Sequence, residues 1–154
     1  MKESYRLIND QVRRAAITHI NSLECDGKLS VNIVASGNKS ARQRGLQWRW
    51  YTDVSKAGVG GAHEDSKEGV HLICKYRFAV PIFIRDDEFF ADLYAAYRQK
   101  YIDSSERIEW FIDTQVHTEN FNVSQMAEYL TCIQQYYTTK GVALADPDRN
   151  LLAA

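Results

Sequence analysis

The run NKSARQRGLQWRWYTDVSKAG, from Asn38 to Gly58, constrains this chain more than any other. Its apolar residues recur at helical spacing, so it reads as a helix of about six turns. It also holds five cationic residues, two tryptophans and a tyrosine. With Arg42 at zero and about 100° per residue, Leu46, Ala57, Trp50 and Val54 fall within about 40° to 120° and form an apolar face. Gln43 and Gln47 lie on or beside that face. Trp48 falls near about 240°, beyond Arg44 and Tyr51, while Arg49, Arg42 and Lys56 cluster near about 320° to 360°. Trp50 therefore belongs to the core, and Trp48 points away from it. Two readings of Trp48 stand open. A second helix or a dimer partner covers it, or it stacks a base while the arginines hold phosphates.

The remaining elements are read from the same periodicities. Tyr5–Ile8 and Ser30–Ser36 alternate as strands around a helix that Asp10 caps and that runs to Leu23. Beyond the loop GVGGAHED, Asp65 is placed to cap a helix, with Glu68 in capping-box position. Pro81 should end or kink that helix. Asp86, Asp87 and Glu88 open another, to about Lys100. Ile108, Trp110 and Ile112 alternate like a strand, though Phe111 breaks the pattern. Asn122 or Ser124 caps a final helix with Val123, Met126, Ala127, Leu130, Ile133 and Tyr137 on one stripe and Gly141 as its stop. The tail VALADPDRNLLAA reads as loosely ordered. The fold class expected is α+β, a small sheet with an N-terminal strand–helix–strand unit and a mostly helical C-terminal half. The 154 residues suit one domain, with a possible subdivision near residues 58–62.

Composition narrows the function. No apolar run is long enough to cross a bilayer. The N-terminal MKESYRLIND lacks the apolar core of a signal peptide, so the cytoplasm is the expected location. Cys25, Cys74 and Cys132 have no paired spacing and read as free buried thiols. The net charge of −1 does not mark a nucleic-acid binder. Its distribution is uneven: residues 1–56 hold ten Lys and Arg against five Asp and Glu, and residues 57–154 hold nine against fifteen. A basic face on a neutral molecule is compatible with that. His19, His63, His71 and His117 make no ligand motif, GVGG is no phosphate loop, and no nucleophile elbow occurs. No metal, cofactor or catalytic group is expected.

The run KSARQRGLQWRWYTDVS, Lys39–Ser55, resembles the NinB, or Orf, recombination proteins of lambdoid phages. The likeness rests on a basic residue and a serine after a strand, a glutamine three residues on and a tryptophan five further. Ser40, Gln43 and Trp48 stand at that spacing, and Asp53, Val54 and Ser55 match the end of the same helix. A second run, HTENFNVSQMAEYLTCIQQYYTTKGV from His117 to Val142, is similar to the family's final helix and its Gly-Val ending. The resemblance implies a non-enzymatic recombination mediator. Such a protein binds single-stranded DNA, associates with the host single-strand-binding protein, helps load a recombinase and forms an intertwined homodimer with a basic cleft. It places Gln43 and Trp48 at positions linked to DNA binding. With the helix's cations, the expected contacts are Lys39, Arg42, Gln43, Arg44, Trp48 and Arg49. Two departures weigh against a DNA contact by the tail: Asn120 stands where the family can have an arginine, and Asp146 and Asp148 outnumber Arg149. The rival readings are a nuclease or other nucleic-acid enzyme, and a purely protein-binding accessory module.

Overall fold

Helix caps and stops punctuate the chain. The computed structural model describes residues 5, 7, 9–33, 39–148 and 150–153, and the chain divides into two compact units, Met1–Gly37 and Asn38–Ala154. In the first, α1 (Asp10–Ser22) is capped by Asn9, one residue before the expected Asp10; its side-chain oxygen accepts from the Val12 N–H at 2.9 Å. Of α1 only Ala16 is buried. Ile17 and Ile20 are exposed, as are Leu29, Val31 and Ile33 after the helix.

No strand occurs among the described residues, and the α+β expectation is corrected: the described protein is all-helical. Tyr5, Leu7 and Ser30–Ile33 belong to no ladder; Arg6, Ile8 and Val34–Ser36 lie outside the described residues. Alternation marks a segment able to pair, but a strand also needs a neighbouring backbone to satisfy its N–H and C=O groups.

The second unit carries the core. Its elements are α2 (Lys39–Ala57), α3 (Lys67–Cys74), a π-helical turn (Lys75–Ala79), α4 (Val80–Asp86), α5 (Glu88–Lys100), α6 (Ser105–Gln115), a 3₁₀ turn (Thr118–Asn120) and α7 (Val123–Thr139). Gly58 ends α2 with φ 64°, a left-handed conformation that costs glycine little. Ser66, not Asp65, caps α3, accepting from the Gly69 N–H at 3.1 Å. Pro81 does not end the helix. It falls in the first turn of α4 directly after the π-helical turn, where one wide turn accommodates a residue without an N–H. Asp87 caps α5, accepting from the Phe90 N–H.

The strand-like alternation at Ile108–Ile112 belongs to α6. Ile108, Phe111 and Ile112 are buried at helical spacing, and Trp110 is exposed. The phenylalanine that spoils the alternation is the residue that completes the helical face. The buried ammonium of Lys75 donates to the carbonyls of Ile112 and Asp113, at 3.3 and 2.9 Å, in the last turn of α6, where a cation satisfies carbonyls that the helix itself leaves short of partners; the Ile112 oxygen also accepts from the Val116 N–H at 3.3 Å. α7 has the full capping box between Asn122 and Gln125. Its buried stripe of Met126, Ala127, Leu130, Ile133 and Tyr137 agrees with the sequence expectation, with Tyr129 added. The core joins these to Leu46, Trp50, Val54, Val70, Ile82 and Phe90. The loop after α2 folds over α7: Tyr137 donates its hydroxyl to the buried Glu64 carboxylate at 2.8 Å. A Cβ at Gly60 would overlap that glutamate. Of the cysteines only Cys74 is buried; Cys132 is half-buried and Cys25 exposed.

The tail is not loose. Val142, Leu144 and Leu151 are buried. The indole N–H of Trp50 donates to the Ala145 carbonyl at 3.1 Å, and Gln134 Nε2 donates to that of Leu144 at 2.7 Å. The Asp146 carboxylate accepts from the Asp148 and Leu151 N–H groups, each at 2.9 Å. Each of these aligns a short polar stretch so that its leucines reach the core. The division at Gly37 replaces the one expected near residues 58–62, because the core cluster runs through α2, α3 and α7 alike.

Two glycines should respond in opposite senses. Gly45 lies inside α2 on the exposed side, and a Cβ there would meet nothing within 4 Å. Gly45→Ala should stabilise the fold by about 0.5–1 kcal/mol, read as a rise of a few degrees in melting temperature. Gly141, at φ 85° after α7, should lose about 1 kcal/mol on substitution by alanine. A fall for Gly45→Ala would show that something else packs on that position.

Candidate nucleic-acid interface

α2 presents three sectors. Its buried arc holds Leu46, Trp50 and Val54, as the sequence predicts, but extends to Gln43, Gln47 and Tyr51. Ala57, expected on the apolar face, is exposed.

The sector toward the tail absorbs much of the expected DNA-binding set. Gln43 is fully buried, and its Nε2 donates to the carbonyls of Val123 and Leu151, at 3.1 and 2.8 Å. It clamps the start of α7 and the tail together and faces no solvent. Lys39 Nζ donates to the Ala153 carbonyl. Arg42 Nη1 lies 3.3 Å from the Asp148 carboxylate. Arg42, Gly45, Leu46 and Arg49 form one wall of a shallow groove of about 240 Å³, and Pro147, Asp148 and Leu151 form the other. Arg49 is exposed at its edge.

The opposite sector holds Trp48 and Arg44. Trp48 is 41% exposed, and Arg44, one helical turn earlier, is half-buried. The indole is braced from inside the protein. Its centroid lies 5.3 Å from that of Tyr51, nearly perpendicular, and 4.8 Å from that of His71, tilted by 43°. Of the six expected contacts, then, Trp48 and Arg44 share one side, Arg42 and Arg49 line the groove, and Lys39 and Gln43 hold the tail.

Beneath Trp48 lies a buried polar network that connects four elements. Gln47 Nε2 donates to the Tyr51 hydroxyl at 2.7 Å and to Thr118 Oγ1 at 3.1 Å. The hydroxyls of Tyr51 and Tyr129 are 2.7 Å apart, and His71 Nδ1 is 3.1 Å from the same Tyr51 oxygen. Burial pushes both phenols well above their ordinary range. They remain neutral donors and acceptors at any ordinary pH. Burial also lowers the His71 pKa, to about 4, helped by the Lys75 charge and opposed by Glu119 and Asp113. His71 is therefore neutral at pH 7.

His71, Tyr51 and Gly45 were not among the sequence expectations. His71 sits on α3, in a different part of the chain, and no spacing links it to Trp48. The one signal available was the angular nearness of Tyr51 to Trp48 on the helical wheel. No protein-family model, curated protein or solved structure matches the chain.

The network makes a pH prediction. A histidine with a folded pKa near 4 and an ordinary unfolded value near about 6.5 is neutral in both states above about 6.5. Between those values the unfolded chain binds a proton that the folded protein does not, so stability falls as pH drops from about 6.5 toward 4. Thermal melts should show a smaller loss across that window for His71→Gln than for the natural protein. Equal slopes would mean that His71 titrates normally in the fold.

Proposed function

We propose that this chain is a non-enzymatic recombination mediator of the NinB, or Orf, kind that binds single-stranded DNA at α2. The observation that carries the reading is Trp48: a large aromatic ring left open on one side, braced on the other by Tyr51 and His71, with Arg44 one turn away. A rigid platform loses little freedom when a base stacks on it, and stacking contributes about 1–3 kcal/mol per base. The resemblance of Lys39–Ser55 and His117–Val142 to that family supports the same reading. Gln43 acts in it as a structural clamp and Trp48 as the contact. Arg42 and Arg49 offer a second place for phosphates, across α2 from Trp48.

The partners follow from the same reading. They are a second copy of the chain, the host single-strand-binding protein and a recombinase loaded with their help, in the bacterial cytoplasm. Self-association is supported by the exposed Leu7, Ile17, Ile20, Leu29, Val31 and Ile33 of the first unit; a unit of that size rarely buries enough apolar surface by itself. Among the described residues no helix is long and apolar enough to cross a membrane.

Fluorescence anisotropy of a labelled oligodeoxythymidine, titrated at several salt concentrations, tests the reading. The natural protein should bind with an affinity that falls as salt rises. Trp48→Ala should weaken binding by about 1–3 kcal/mol, and Arg44→Gln should reduce the salt slope by about 0.7. Absence of binding even at low salt would make the Trp48 surface a protein contact and remove the DNA-binding reading.

A further inference from the structure

His71 is placed to do more than brace the tryptophan. The hydroxyl of Tyr51 is the centre of three hydrogen bonds, to Gln47, Tyr129 and His71. A phenol oxygen accepts two hydrogens and donates one. With the Gln47 amide donating, one acceptor position remains. Tyr129 is completely buried, and Tyr51 is the one hydrogen-bond partner of its hydroxyl among the described residues. If Tyr51 donated to Tyr129, the Tyr129 hydrogen would be buried without an acceptor, which costs more than the bond contributes. Tyr129 therefore donates to Tyr51, and Tyr51 donates to His71 Nδ1. A neutral imidazole accepting at Nδ1 carries its hydrogen on Nε2. That nitrogen has no partner among the described residues, and it is not among the buried unpaired atoms, so it reaches solvent.

The result is an oriented, uncharged donor beside an open tryptophan. We propose that His71 is a second nucleotide contact of this site: its Nε2–H donates to an acceptor on the strand that stacks on Trp48, a phosphate oxygen or a base carbonyl. The inference rests on the reading that Trp48 stacks a base. Tyr51 is then a positioning residue. It holds the imidazole in one tautomer, and Gln47, Tyr129 and Thr118 hold Tyr51. The charged groups that act on the ring are Lys75, Glu119 and Asp113. The Lys75 ammonium is occupied by the α6 carbonyls and the Glu119 carboxylate by His117 Nδ1 at 3.1 Å. The outward N–H of His71 is thus a donor on this side that the protein itself leaves unused.

His71→Asn separates contact from support. The shorter side chain keeps an oxygen near the Nδ1 position for Tyr51 and has nothing at the Nε2 position. Oligodeoxythymidine affinity should drop about three- to tenfold, the size of one neutral hydrogen bond. The salt slope should not change, because no charge is lost. The same comparison on an abasic strand identifies the acceptor: the loss persists for a phosphate and vanishes for a base. In the natural protein, long-range proton–nitrogen NMR at pH 7 should show the Nε2–H tautomer, with that signal moving when the oligonucleotide is added. An Nδ1–H tautomer, an unmoved signal or a reduced salt slope for the variant would overturn the proposal. Natural affinity for His71→Asn, with binding lost in Trp48→Ala, would remove His71 and leave the stacking reading standing. No binding by the natural protein would remove both.

Discussion

The buried bond between the hydroxyls of Tyr51 and Tyr129 is where α2 and α7 are held in register. Both rings are fully enclosed, and their oxygens are 2.7 Å apart. A hydroxyl left unpaired there would cost about 1–3 kcal/mol, so the two helices must approach where the oxygens meet. Gln47 adds the 3₁₀ turn through Thr118, and His71 adds α3. Such a network is sensitive to geometry in a way that an apolar contact is not, because each member limits the directions open to the others. Trp48 inherits that order. It lies against Tyr51 and His71, so the exposed ring has a defined orientation even though half of its surroundings are water.

α2 serves two masters on its outer side. Toward the tail, Lys39 and Arg42 are drawn into bonds with Ala153 and Asp148. Asp148 and Arg42 are each partly exposed, so their ion pair contributes little to stability. An anion of higher charge can compete with a carboxylate held at 3.3 Å. Away from the tail, the Arg44 and Trp48 side chains make no such bonds among the described residues. Gly45 lies between the two sides, and the helix there has no side chain.

The tail shows how a polar segment becomes part of a core. Asp146 folds it back on itself by accepting two backbone N–H groups, and Gln43, Trp50 and Gln134 satisfy its carbonyls. With the Leu144, Ala145 and Leu151 carbonyls and the Leu151 N–H paired, the tail can bring Leu144 and Leu151 into the core at a lower cost in desolvated backbone. The two acidic residues that argued against a DNA contact by this tail are in fact bound to the protein. Asp146 holds the turn, and Asp148 faces Arg42.

Local chemistry was legible wherever it decides itself. The caps at Asp87 and Asn122, the glycine stops at 58 and 141 and the opposite orientations of Trp48 and Trp50 follow from interactions within one helix, which the order of residues contains, although Asn9 and Ser66 cap in place of the expected Asp10 and Asp65. Strand pairing is not of that kind. Ser30–Ile33 has the alternation of a strand and no ladder, because a ladder requires a second segment at the right distance. Ile108–Ile112 has the same alternation and is helical, and Phe111 joins Ile108 and Ile112 in the core at helical spacing while Trp110 is exposed. The fate of the cations was equally out of reach. A helical wheel places Arg42, Arg49 and Lys56 on one outer side, but only the fold brings Asp148 to meet Arg42 and Ala153 to meet Lys39. The wheel leaves Gln43 open to a structural role or a DNA contact, and only the fold supplies the carbonyls of Val123 and Leu151 that its amide meets. His71 acquires its place beside Trp48 through Tyr51 and Tyr129, residues far apart in the chain. The sequence by itself determined α1, α2, α5 and α7 to within a residue or two and which tryptophan faces outward, since those depend on neighbours within a few turns. The tertiary structure decided which polar groups are occupied and which stay open, since a hydrogen bond between distant residues exists only once the chain has brought them within about 3 Å.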